Sequence, residues 1–373
     1  MEDSNTSSTN SPATVCVTGA SGFIAAHAVE QLLAKGYNVI GTVRGDASKY
    51  PYLTSLPGAE ERLTLTQADL LTEGAFDDIL EGCDYVLHTA SPYIIDVKDP
   101  QRDLVDPAVQ GTIHVLDACK KSSTVKRVIL TSSIAAITDE PDNDHVFTEA
   151  DWNEKSSLDR NPYYFSKTQA EKAAWHFFEK NKLEDNKLEK NKLEDNKLEE
   201  NKVKFDMVVI NPFIVIGPSH GPSLNTSNQI IRDIMKGLYP TIMTVNWGFV
   251  DVRDVAKSHI LAMETPSASG RYLCANQSMS MTELVNFLRE SGYQKYRLPK
   301  INMASPFGTK VMKVLSYTQP KGVGTYMRTN MGRNMQYDNT KIINDLAMEF
   351  IPAKTSILDA VEDMLKWKHL KAR

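Results

Sequence analysis

The sequence is poor in cysteine, contains no long apolar run and carries no excess of positive charge. Its four cysteines are widely scattered and show no paired spacing typical of a metal site or a redox dithiol. No apolar stretch approaches the ~20 residues that a membrane-spanning helix requires, and a net charge of -5 offers no basic surface to nucleic acid. These absences predict a cytoplasmic protein with reduced thiols, no metal site, and neither membrane nor nucleic acid as a partner.

The chain is nevertheless long and apolar enough to bury a large interior. At 373 residues, 41% of them hydrophobic, it can form one large core or two modest ones. The exception is the stretch over residues 1–11, which is polar and acidic and has no apolar centre. We expect a disordered tail there rather than a signal peptide or an anchor.

The next part of the chain alternates between strand and helix. A β-rich run, Thr14–Thr18, leads directly into a glycine-containing turn over residues 19–25. A helix is predicted over 26–35, ending at Gly36, and a second strand over 37–44. Strand, glycine turn, helix and strand in this order are typical of a dinucleotide-binding unit.

The small residues of this turn suit a nucleotide diphosphate. Gly19 permits the tight turn, Gly22 lets the backbone approach a pyrophosphate at the helix N-terminus, and Ala25 still allows the helix to pack closely on the strand. We therefore predict that the turn binds a dinucleotide. The predicted contacts in the turn are Gly19, Ser21, Gly22, Phe23 and Ile24.

The end of the second predicted strand indicates which dinucleotide binds. An NAD-binding unit usually ends this strand with a carboxylate that holds the ribose hydroxyls. Here the strand ends in Arg44, whose guanidinium suits a 2′-phosphate. Lys49 is either a second cation for that phosphate or a solvated surface lysine, and Asp46 could still reach a ribose. The sequence thus favours NADP(H) over NAD.

Two further predicted strands bring side chains toward the same cofactor. The strand over 63–70 leads to Asp69, which contacts the adenine edge, caps the following helix, or does both. The strand over 84–92 ends in small polar residues, and its His88 is interpreted as a core histidine. The predicted cofactor contacts from these strands are Asp69, Leu70, Thr89 and Ala90.

A strand predicted over 125–133, after a crossover helix over 107–119, ends in hydroxyl residues. These are Thr131, Ser132 and Ser133. The carboxyl ends of strands in open α/β sheets are where ligands bind, and a hydroxyl there can hydrogen-bond a substrate oxygen as charge develops on it. The position of these residues between the glycine turn and the next motif favours this reading over ordinary turn chemistry.

That next motif is a tyrosine and a lysine four residues apart, Tyr163 and Lys167, at the start of a run of strong helix formers. On a helix this spacing places both side chains on one face, a turn apart. A free tyrosine has a pKa near ~10. A neighbouring ammonium stabilises the phenolate and lowers that pKa, so the phenol becomes useful as an acid or base.

The glycine turn, the hydroxyl strand end and the Tyr-x-x-x-Lys motif occur in one chain and in this order. The chain therefore resembles the extended short-chain dehydrogenase/reductase family, within the NAD-dependent epimerase/dehydratase superfamily. It is most similar to the dihydroflavonol reductase and cinnamoyl-CoA reductase branch. The resemblance covers nearly everything from about residue 14 onward, and its supporting segments are 42–44, 56–65, 166–175, 211–212 and 249–256.

The resemblance implies an α/β fold: a Rossmann-type doubly wound parallel sheet with a smaller, mostly helical C-terminal substrate lobe. The expected NADP-binding Rossmann domain comprises 12–180, 203–212 and 249–276, and the expected lobe comprises 213–248 and 277–373. The loop over 138–146 and the aromatic and methionine residues over 317–337 are candidate substrate contacts. Asp251 and Arg253, expected near the cofactor side of the sheet, are interpreted as a structural ion pair.

The resemblance also implies roles for single residues. Tyr163 would donate the proton when a carbonyl is reduced, and Lys167 would lower its pKa and hold the nicotinamide ribose. Ser133 would position the carbonyl oxygen, with Ser132 as the alternative, and Pro212 would be a further cofactor contact. The asparagine-tryptophan-tyrosine signature of true cinnamoyl-CoA reductases is absent, because residues 161–167 read NPYYFSK. This departure argues against a CoA thioester substrate.

One segment falls outside the family pattern. Residues 181–200 repeat a five-residue unit four times, and the low-complexity insertion extends to 202. Its leucines recur every five residues and therefore spiral round a helix instead of forming a stripe. We expect an exposed charged insertion, whether or not it extends the preceding helix, and we expect that deleting 181–200 leaves activity intact.

The sequence thus predicts an NADPH-dependent reductase of an aldehyde or ketone, able to oxidise the secondary alcohol in reverse. A sugar epimerase or 3β-hydroxysteroid-type dehydrogenase is the first alternative, although a retained NAD is disfavoured by Arg44. A non-catalytic NADP(H) sensor is the second alternative. It is disfavoured because a sensor would not require Ser133, Tyr163 and Lys167 together. The predicted partner is a small-molecule carbonyl or alcohol, and the chain is expected to be a monomer or homodimer.

Overall fold

The structure, a computed structural model, describes residues 12–91, 98–190, 203–319 and 321–372, with the backbone alone for 182–190 and 321. The predicted tail over 1–11 and the repeat from residue 191 onward lie outside the described residues.

The described strands are, in chain order, β1 (Thr14–Thr18), β2 (Asn38–Val43), β3 (Leu63–Gln67), β4 (Tyr85–His88), β5 (Arg127–Thr131), β6 (Val146–Phe147), β7 (Asp206–Pro212), β8 (Ile214–Ile216), β9 (Thr241–Ile242), β10 (Asn246–Asp251), β11 (Gly270–Cys274), β12 (Gln277–Ser280), β13 (Ile301–Asn302) and β14 (Gln336–Tyr337).

The described α-helices are α1 (Phe23–Ala34), α2 (Pro51–Thr54), α3 (Ala59–Arg62), α4 (Asp77–Leu80), α5 (Asp106–Lys121), α6 (Pro162–Lys190), α7 (Thr226–Lys236), α8 (Val252–Glu264), α9 (Met281–Leu288), α10 (Pro306–Leu315), α11 (Lys321–Asn330), α12 (Thr340–Leu346) and α13 (Ala353–Lys366).

A seven-stranded sheet in the described part of the chain has the order β11-β7-β5-β4-β1-β2-β3. Every neighbouring pair in it is parallel. The chain builds outward from β1 through β2 and β3 on one side, and from β4 through β5, β7 and β11 on the other. The strand order therefore reverses between β1 and β4, which is where open α/β sheets bind their ligands.

Side chains of β1 show why both faces of this sheet are covered. Val15 and Val17 point into one core with Leu32 of α1, whereas Cys16 points into a second core with Leu116 of α5. Because successive side chains of a strand alternate in direction and all of these are apolar, each face must be shielded by helices. α1 and α8 pack on one face, and α5 and α6 on the other. The predicted doubly wound α/β fold is confirmed.

α1 begins three residues before the predicted position. Gly22 is extended (φ -72°, ψ 162°) and acts as the N-cap, and its carbonyl oxygen accepts the first helical hydrogen bond from the Ala26 N–H at 2.9 Å. The glycine turn is therefore shorter, and Phe23 and Ile24 belong to the first turn of the helix.

A third hydrophobic core lies in the C-terminal part of the chain. Here β10 pairs with β8 in parallel and with β12 antiparallel, and helices α7, α9 and α13 contribute to the same core, with Trp247, Phe249 and Met364 among its buried residues. The lobe is mostly helical, as predicted, and contains this small sheet in addition. The domain boundaries proposed from the sequence stay a prediction.

The long helix α6 extends into the charged repeat as far as Lys190. Its last contact with the rest of the fold in the described side chains is Asn181, which is 6% exposed and accepts a hydrogen bond from Lys120 Nζ at 2.6 Å. None of the helices in the described ranges is long and apolar enough to cross a membrane.

Candidate active site

A cleft of about 770 Å³ runs along the carboxyl ends of the strands at the point where the strand order reverses. Fourteen of the fifteen residues predicted to bind the cofactor or act in catalysis line it: Gly19, Ser21, Gly22, Phe23, Ile24, Arg44, Asp69, Leu70, Thr89, Ala90, Ser133, Tyr163, Lys167 and Pro212. The exception is Lys49, which lies on an exposed 3-10 turn beside Gly45. The roles of these residues stay predictions, but their convergence on one cleft is a property of the fold.

Residues 19–25, here named the nucleotide turn, present backbone to the cleft. Gly19 has a φ of +67°, and a Cβ there would lie 3.0 Å from the Cβ of Ala90, so a side chain is excluded both by conformation and by space. Among the described residues, no side chain caps the N-terminus of α1, and its first turn contains no acidic residue. Its free N–H groups and positive dipole end therefore suit a diphosphate.

The edge of the cleft beyond β2 favours a phosphate over a ribose hydroxyl. Arg44 is exposed and lines the cleft, and its backbone is held where its carbonyl oxygen accepts a hydrogen bond from Gln67 at 3.2 Å. Asp46, which could have bound a ribose, accepts a hydrogen bond from the Ser48 N–H at 2.8 Å and caps the following 3-10 turn. The residues present therefore fit NADP(H).

The hydrogen bonds of Asp69 and His88 show what each of these two residues does in the fold. Asp69 lines the cleft and also accepts a hydrogen bond from the Leu71 N–H at 3.0 Å, so both interpretations of this residue hold geometrically. His88 is buried, its Nδ1 lies 2.8 Å from Thr18 Oγ1, and burial, with a smaller effect of the Lys167 charge, lowers its pKa to about 3. It is a neutral core histidine.

Ser133, Tyr163 and Lys167, here named the catalytic corner, meet at the centre of the cleft. Lys167 Nζ donates a hydrogen bond to Ser91 Oγ at 2.8 Å and lies 5.9 Å from the centre of the Tyr163 ring. Burial of the ammonium lowers the pKa of Lys167 to about 8. At neutral pH it is thus a cation close to the phenol, with little water around it to screen its field.

The two serines at the end of β5 are used differently. Ser132 is 7% exposed, and its hydroxyl donates a hydrogen bond to Glu171 Oε2 at 2.5 Å. The Ser133 hydroxyl oxygen accepts a hydrogen bond from the Ala135 N–H at 3.1 Å, an arrangement that leaves its own O–H to be donated into the cleft. The geometry therefore favours Ser133 over Ser132 as the group that holds a substrate oxygen.

A buried ionic network supports the catalytic corner from behind. Glu171 of α6 is 1% exposed, and its carboxylate accepts hydrogen bonds from Ser132, from Asn211 Nδ2 at 2.8 Å and from Arg271 Nε at 2.6 Å. Asn211 also donates to the Ser133 carbonyl oxygen at 3.2 Å. One carboxylate thus ties α6 to the ends of β5, β7 and β11.

Sequence reasoning did not identify Ser91, Glu171, Asn211 or Arg271 as site residues. Glu171 follows Lys167 by four residues, so the helical spacing that revealed Tyr163 and Lys167 places it on the same face. That signal was available. Arg271 carried none, because it lies 100 residues away in sequence from the carboxylate it pairs with.

Beyond the catalytic corner the cleft wall becomes apolar and aromatic. The wall residues at this end include Ile134, Tyr164, Phe213, Ile214, Leu224 and Ile230. Behind Tyr164 and Phe213 lies a smaller cavity of about 50 Å³, also lined by Trp247 and Tyr326, and Trp247 Nε1 donates a hydrogen bond to the Tyr326 hydroxyl at 3.1 Å. Two segments suggested from the sequence reach this cavity: Thr138, Asp139 and Pro141 from one, and Tyr326, Asn330, Arg333 and Met335 from the other.

Asp251 and Arg253 form an ion pair that stands apart from the chemistry. Arg253 donates to both carboxylate oxygens of Asp251, at 2.8 and 2.7 Å, and to Asp359 at 2.6 Å. Neither residue lines the cleft formed by the described residues. The pair links the start of α8 to α13 and is structural.

Comparison with known proteins identifies the family to which this architecture belongs. Residues 15–275 match the family described as "NAD dependent epimerase/dehydratase family". A cinnamoyl-CoA reductase CAD2 of Medicago truncatula is 45% identical over 304 residues, which is 79% of this chain and 85% of the relative. A bifunctional dihydroflavonol 4-reductase/flavanone 4-reductase of Malus domestica is 35% identical over 299 residues, 76% and 78% of the two chains.

A solved structure extends the comparison to three dimensions. The yeast methylglyoxal/isovaleraldehyde reductase Gre2 complexed with NADPH superposes with a TM-score of 0.74 at 29% identity, covering 95% of this chain and 99% of that chain.

The chain belongs to the NAD dependent epimerase/dehydratase family. Within it, the relatives are those expected of the extended short-chain dehydrogenase/reductase branch that contains dihydroflavonol and cinnamoyl-CoA reductases. The predictions of this branch, of an NADP-dependent oxidoreductase and of NADP(H) as the cofactor are confirmed.

Proposed function

We propose that the protein reduces the aldehyde or ketone group of a small apolar molecule with NADPH, Tyr163 donating the proton, and that it oxidises the secondary alcohol in the reverse direction. The observation that carries this proposal is the single cleft in which Ser133, Tyr163 and Lys167 stand between a nucleotide turn and an apolar wall.

Each residue of the catalytic corner has a distinct task. Bound NADPH supplies the hydride. The Tyr163 phenol gives its proton to the carbonyl oxygen as negative charge develops there, and the Ser133 O–H holds that oxygen by a second hydrogen bond. Lys167, kept in place by Ser91, stabilises the phenolate that remains.

The apolar end of the cleft indicates the chemical class of the substrate. Ile134, Phe213, Ile214 and Leu224 offer no charge to a ligand, and the neighbouring Tyr164 adds an aromatic face. A hydrophobic carbonyl compound that binds here removes this apolar surface from water, which contributes favourably to the free energy of binding. Both compounds named for the yeast neighbour are small aldehydes, and one of them, isovaleraldehyde, has an apolar chain that fits this class.

A CoA thioester is the second candidate because a cinnamoyl-CoA reductase is 45% identical to this chain. CoA carries several phosphates, which proteins usually hold with exposed cations. The cations that line the cleft of the described chain are Arg44 and Lys167, and they are assigned to the cofactor and to the catalytic corner. The absence of the asparagine-tryptophan-tyrosine signature over residues 161–167 also favours the free carbonyl compound.

The test is NADPH oxidation by purified protein, against NADH, with aldehydes, ketones, flavonoid-like carbonyls and cinnamoyl-CoA. Tyr163→Phe should lower kcat on the order of 10²- to 10⁴-fold, the usual contribution of a positioned acid, while NADPH binding is retained. Tyr164→Phe is the matched control, since Tyr164 also lines the cleft, and it should change kcat only a few-fold.

Three results would overturn parts of this proposal. Turnover that survives Tyr163→Phe would remove Tyr163 as the acid. Cinnamoyl-CoA reduced much faster than any free carbonyl would favour the thioester. Tight NADP(H) binding by the wild-type protein with no turnover of any compound would favour the epimerase or sensor alternatives.

A further inference from the structure

Three side chains of the kind that bind transition metals meet on the surface away from the catalytic corner. His27 and Glu30 lie one turn apart on α1, and His220 comes from the loop between β8 and α7. One ligand atom of each, an imidazole nitrogen or a carboxylate oxygen, lies within 4.8 Å of the other two. No other group of this kind occurs among the residues that the structure describes.

The orientation of His27 is fixed by a backbone carbonyl. Its Nε2 lies 2.9 Å from the Pro218 oxygen, and because a carbonyl only accepts, Nε2 must carry the hydrogen. Nδ1 of the neutral ring therefore carries a lone pair. A hydrogen bond from the far ring nitrogen to a backbone carbonyl is also how metal-bound histidines are usually oriented.

That lone pair is buried and lacks a hydrogen-bond partner. His27 is 3% exposed, and its Nδ1 has no hydrogen-bond partner among the described residues. It faces Glu30 Oε2 at 3.6 Å, beyond hydrogen-bonding distance. Two acceptors that face each other in a buried place repel one another, and a cation between them would satisfy both.

The third side chain completes the arrangement. His220 Nε2 lies 3.1 Å from the same carboxylate oxygen of Glu30, and the two imidazole rings are 4.3 Å apart between centres. One carboxylate oxygen of Glu30 thus faces an imidazole nitrogen of each histidine.

We propose that His27 Nδ1, the Glu30 carboxylate and His220 Nε2 form a binding site for a divalent transition metal, with Zn²⁺ as the best fit. Two imidazoles and one carboxylate are a ligand set that Zn²⁺ accepts, whereas Mg²⁺ and Ca²⁺ prefer oxygen alone. The Glu30 and His220 side chains are 41% and 19% exposed, so water can occupy the fourth position.

The distances require only a modest closing of the site. In a tetrahedral site with bonds of ~2.0–2.2 Å, ligand atoms stand about 3.4 Å apart. Two of the three separations, 3.6 and 3.1 Å, are already close to this value. The third separation, between the ligand nitrogens of the two imidazoles, would shorten to this value by a movement of His220, which lies on a loop.

A metal here would fasten that loop to α1. The loop runs on to Leu224 and Asn225, which line the cleft together with Thr226 and Ser227 at the start of α7. α1 begins at the nucleotide turn. None of the three ligands lines the cleft itself. The metal would therefore act on stability and on the position of the cleft wall, without contact with the reacting atoms.

The experiment is titration of the chelator-treated full-length protein with ZnCl₂, followed by calorimetry and thermal unfolding, with CoCl₂ as a spectroscopic probe. We expect one equivalent to bind and the Tm to rise on the order of 3 °C at a hundredfold excess over Kd. Four-coordinate Co²⁺ should show its visible absorption bands. Glu30→Gln and His220→Ala, both partly exposed positions, should each weaken binding by at least tenfold.

His145→Ala is the matched control, because His145 forms an ion pair with Asp151 at 2.9 Å outside any such group. It should leave the Zn²⁺ affinity unchanged. NADPH binding by every variant checks that the fold is intact. The proposal is overturned if the wild-type protein binds no Zn²⁺ below millimolar concentrations, or if Glu30→Gln and His220→Ala, folded and binding NADPH, bind it as tightly as the wild type.

Discussion

The nucleotide turn and the catalytic corner lie side by side in one cleft but are built in opposite ways. The nucleotide turn is seven consecutive residues, 19–25, and it presents mainly backbone N–H groups, made accessible by Gly19. The catalytic corner takes side chains from β5 and α6 and is supported by Ser91 and Arg271 from two other parts of the chain.

This difference predicts different sensitivities. The turn depends on local backbone conformation, so its properties follow from a short stretch of sequence. The corner depends on buried charges that must pair across the sheet, and an unpaired buried charge is costly. Mutations of supporting residues should therefore affect the corner much more than the turn, and the following substitutions test that contrast.

The largest effect is expected for Lys167→Met, which removes the cation of the catalytic corner. We expect kcat to fall on the order of 10²- to 10⁴-fold, because the Tyr163 phenolate loses its stabilising charge. The free energy of unfolding, in contrast, should increase in this variant. Burial lowers the pKa of Lys167 from 10.5 to about 8, so the folded protein holds this charge at a cost that methionine avoids.

The size of this stability difference depends on pH. Below about pH 8 the lysine is charged in both states, and the cost is complete. Between about 8 and 10.5 the unfolded chain binds more protons than the folded protein, so wild-type stability rises relative to the variant. Thermal unfolding of both proteins at pH 7 and pH 9.5 measures this.

The control for Lys167→Met is Lys172→Met, an exposed lysine on the same helix. It should leave kcat almost unchanged. An equal loss of kcat in both variants would mean that helix α6, rather than the Lys167 charge, had been damaged.

The next largest effect is expected for Glu171→Gln, which breaks the support behind the corner. Arg271 would be left as a buried charge without its carboxylate, since the two side chains are 7% and 0% exposed. Breaking such a pair costs ~3–5 kcal/mol. Denaturant unfolding should show this loss, and kcat/KM should fall because the single amide oxygen of glutamine cannot accept from Ser132, Asn211 and Arg271 as the two carboxylate oxygens do.

Asp206→Asn provides a comparison in which the arginine is equally buried but the carboxylate is exposed. Arg127 is 8% exposed and Asp206 is 50% exposed, and Arg127 also donates to the backbone carbonyl oxygens of Ala262, Thr265 and Pro266. Because water screens the Asp206 charge and replaces it as an acceptor, we expect a smaller loss of unfolding free energy than for Glu171→Gln, about 1 kcal/mol. Similar losses in the two variants would contradict the claim that burial makes the corner sensitive.

The same contrast explains what could be predicted from the sequence. The strand Thr14–Thr18, the glycine turn and Arg44 are local signals. The strand forms where it was predicted and Arg44 lines the cleft, whereas the turn is shorter than predicted because α1 begins at Phe23. The order of strand, glycine turn, helix and strand, together with the family resemblance, predicted the parallel sheet. The Tyr163 and Lys167 pair was also predictable from local sequence, because both residues lie on one helix and its geometry fixes their spacing.

The rest needed tertiary contacts. The apolar wall joins Tyr164 to Phe213 and Trp247, which no local pattern connects. Arg271 carries no local sequence signal of its pairing with Glu171. The proposed metal ligands were not predicted, because His220 lies 190 residues from Glu30 in sequence and His27 is further still. Spacing reveals a metal site only when the ligands are close in sequence.

A smaller and purely local effect is expected at the edge of the nucleotide turn for Arg44→Ser. Hydrogen bonds from a guanidinium to a phosphate contribute ~1.5–3 kcal/mol, so the KM for NADPH should rise about 10- to 100-fold. The KM for NADH should stay nearly constant, because NADH has no 2′-phosphate. Initial rates with both cofactors measure the change.

Lys49→Ser tests the neighbouring lysine, which does not line the cleft of the described chain. It should change the NADPH KM little. A loss equal to that of Arg44→Ser would restore Lys49 as the second cation for the 2′-phosphate, and an unchanged NADPH KM in Arg44→Ser would remove the argument for NADP(H) that rests on this strand end.

The smallest effect is expected for removal of the charged repeat, which belongs to neither region. Asn181 is buried and bound to Lys120 and to the Phe177 carbonyl oxygen, so the deletion should begin at residue 182 and run to 200. Because residues from other parts of the chain line the cleft, kcat/KM should stay within about twofold. Asn181→Ala, in contrast, should cost about 1 kcal/mol of stability. A deletion variant that folds and binds NADPH but has lost turnover would show that the repeat contributes to catalysis after all.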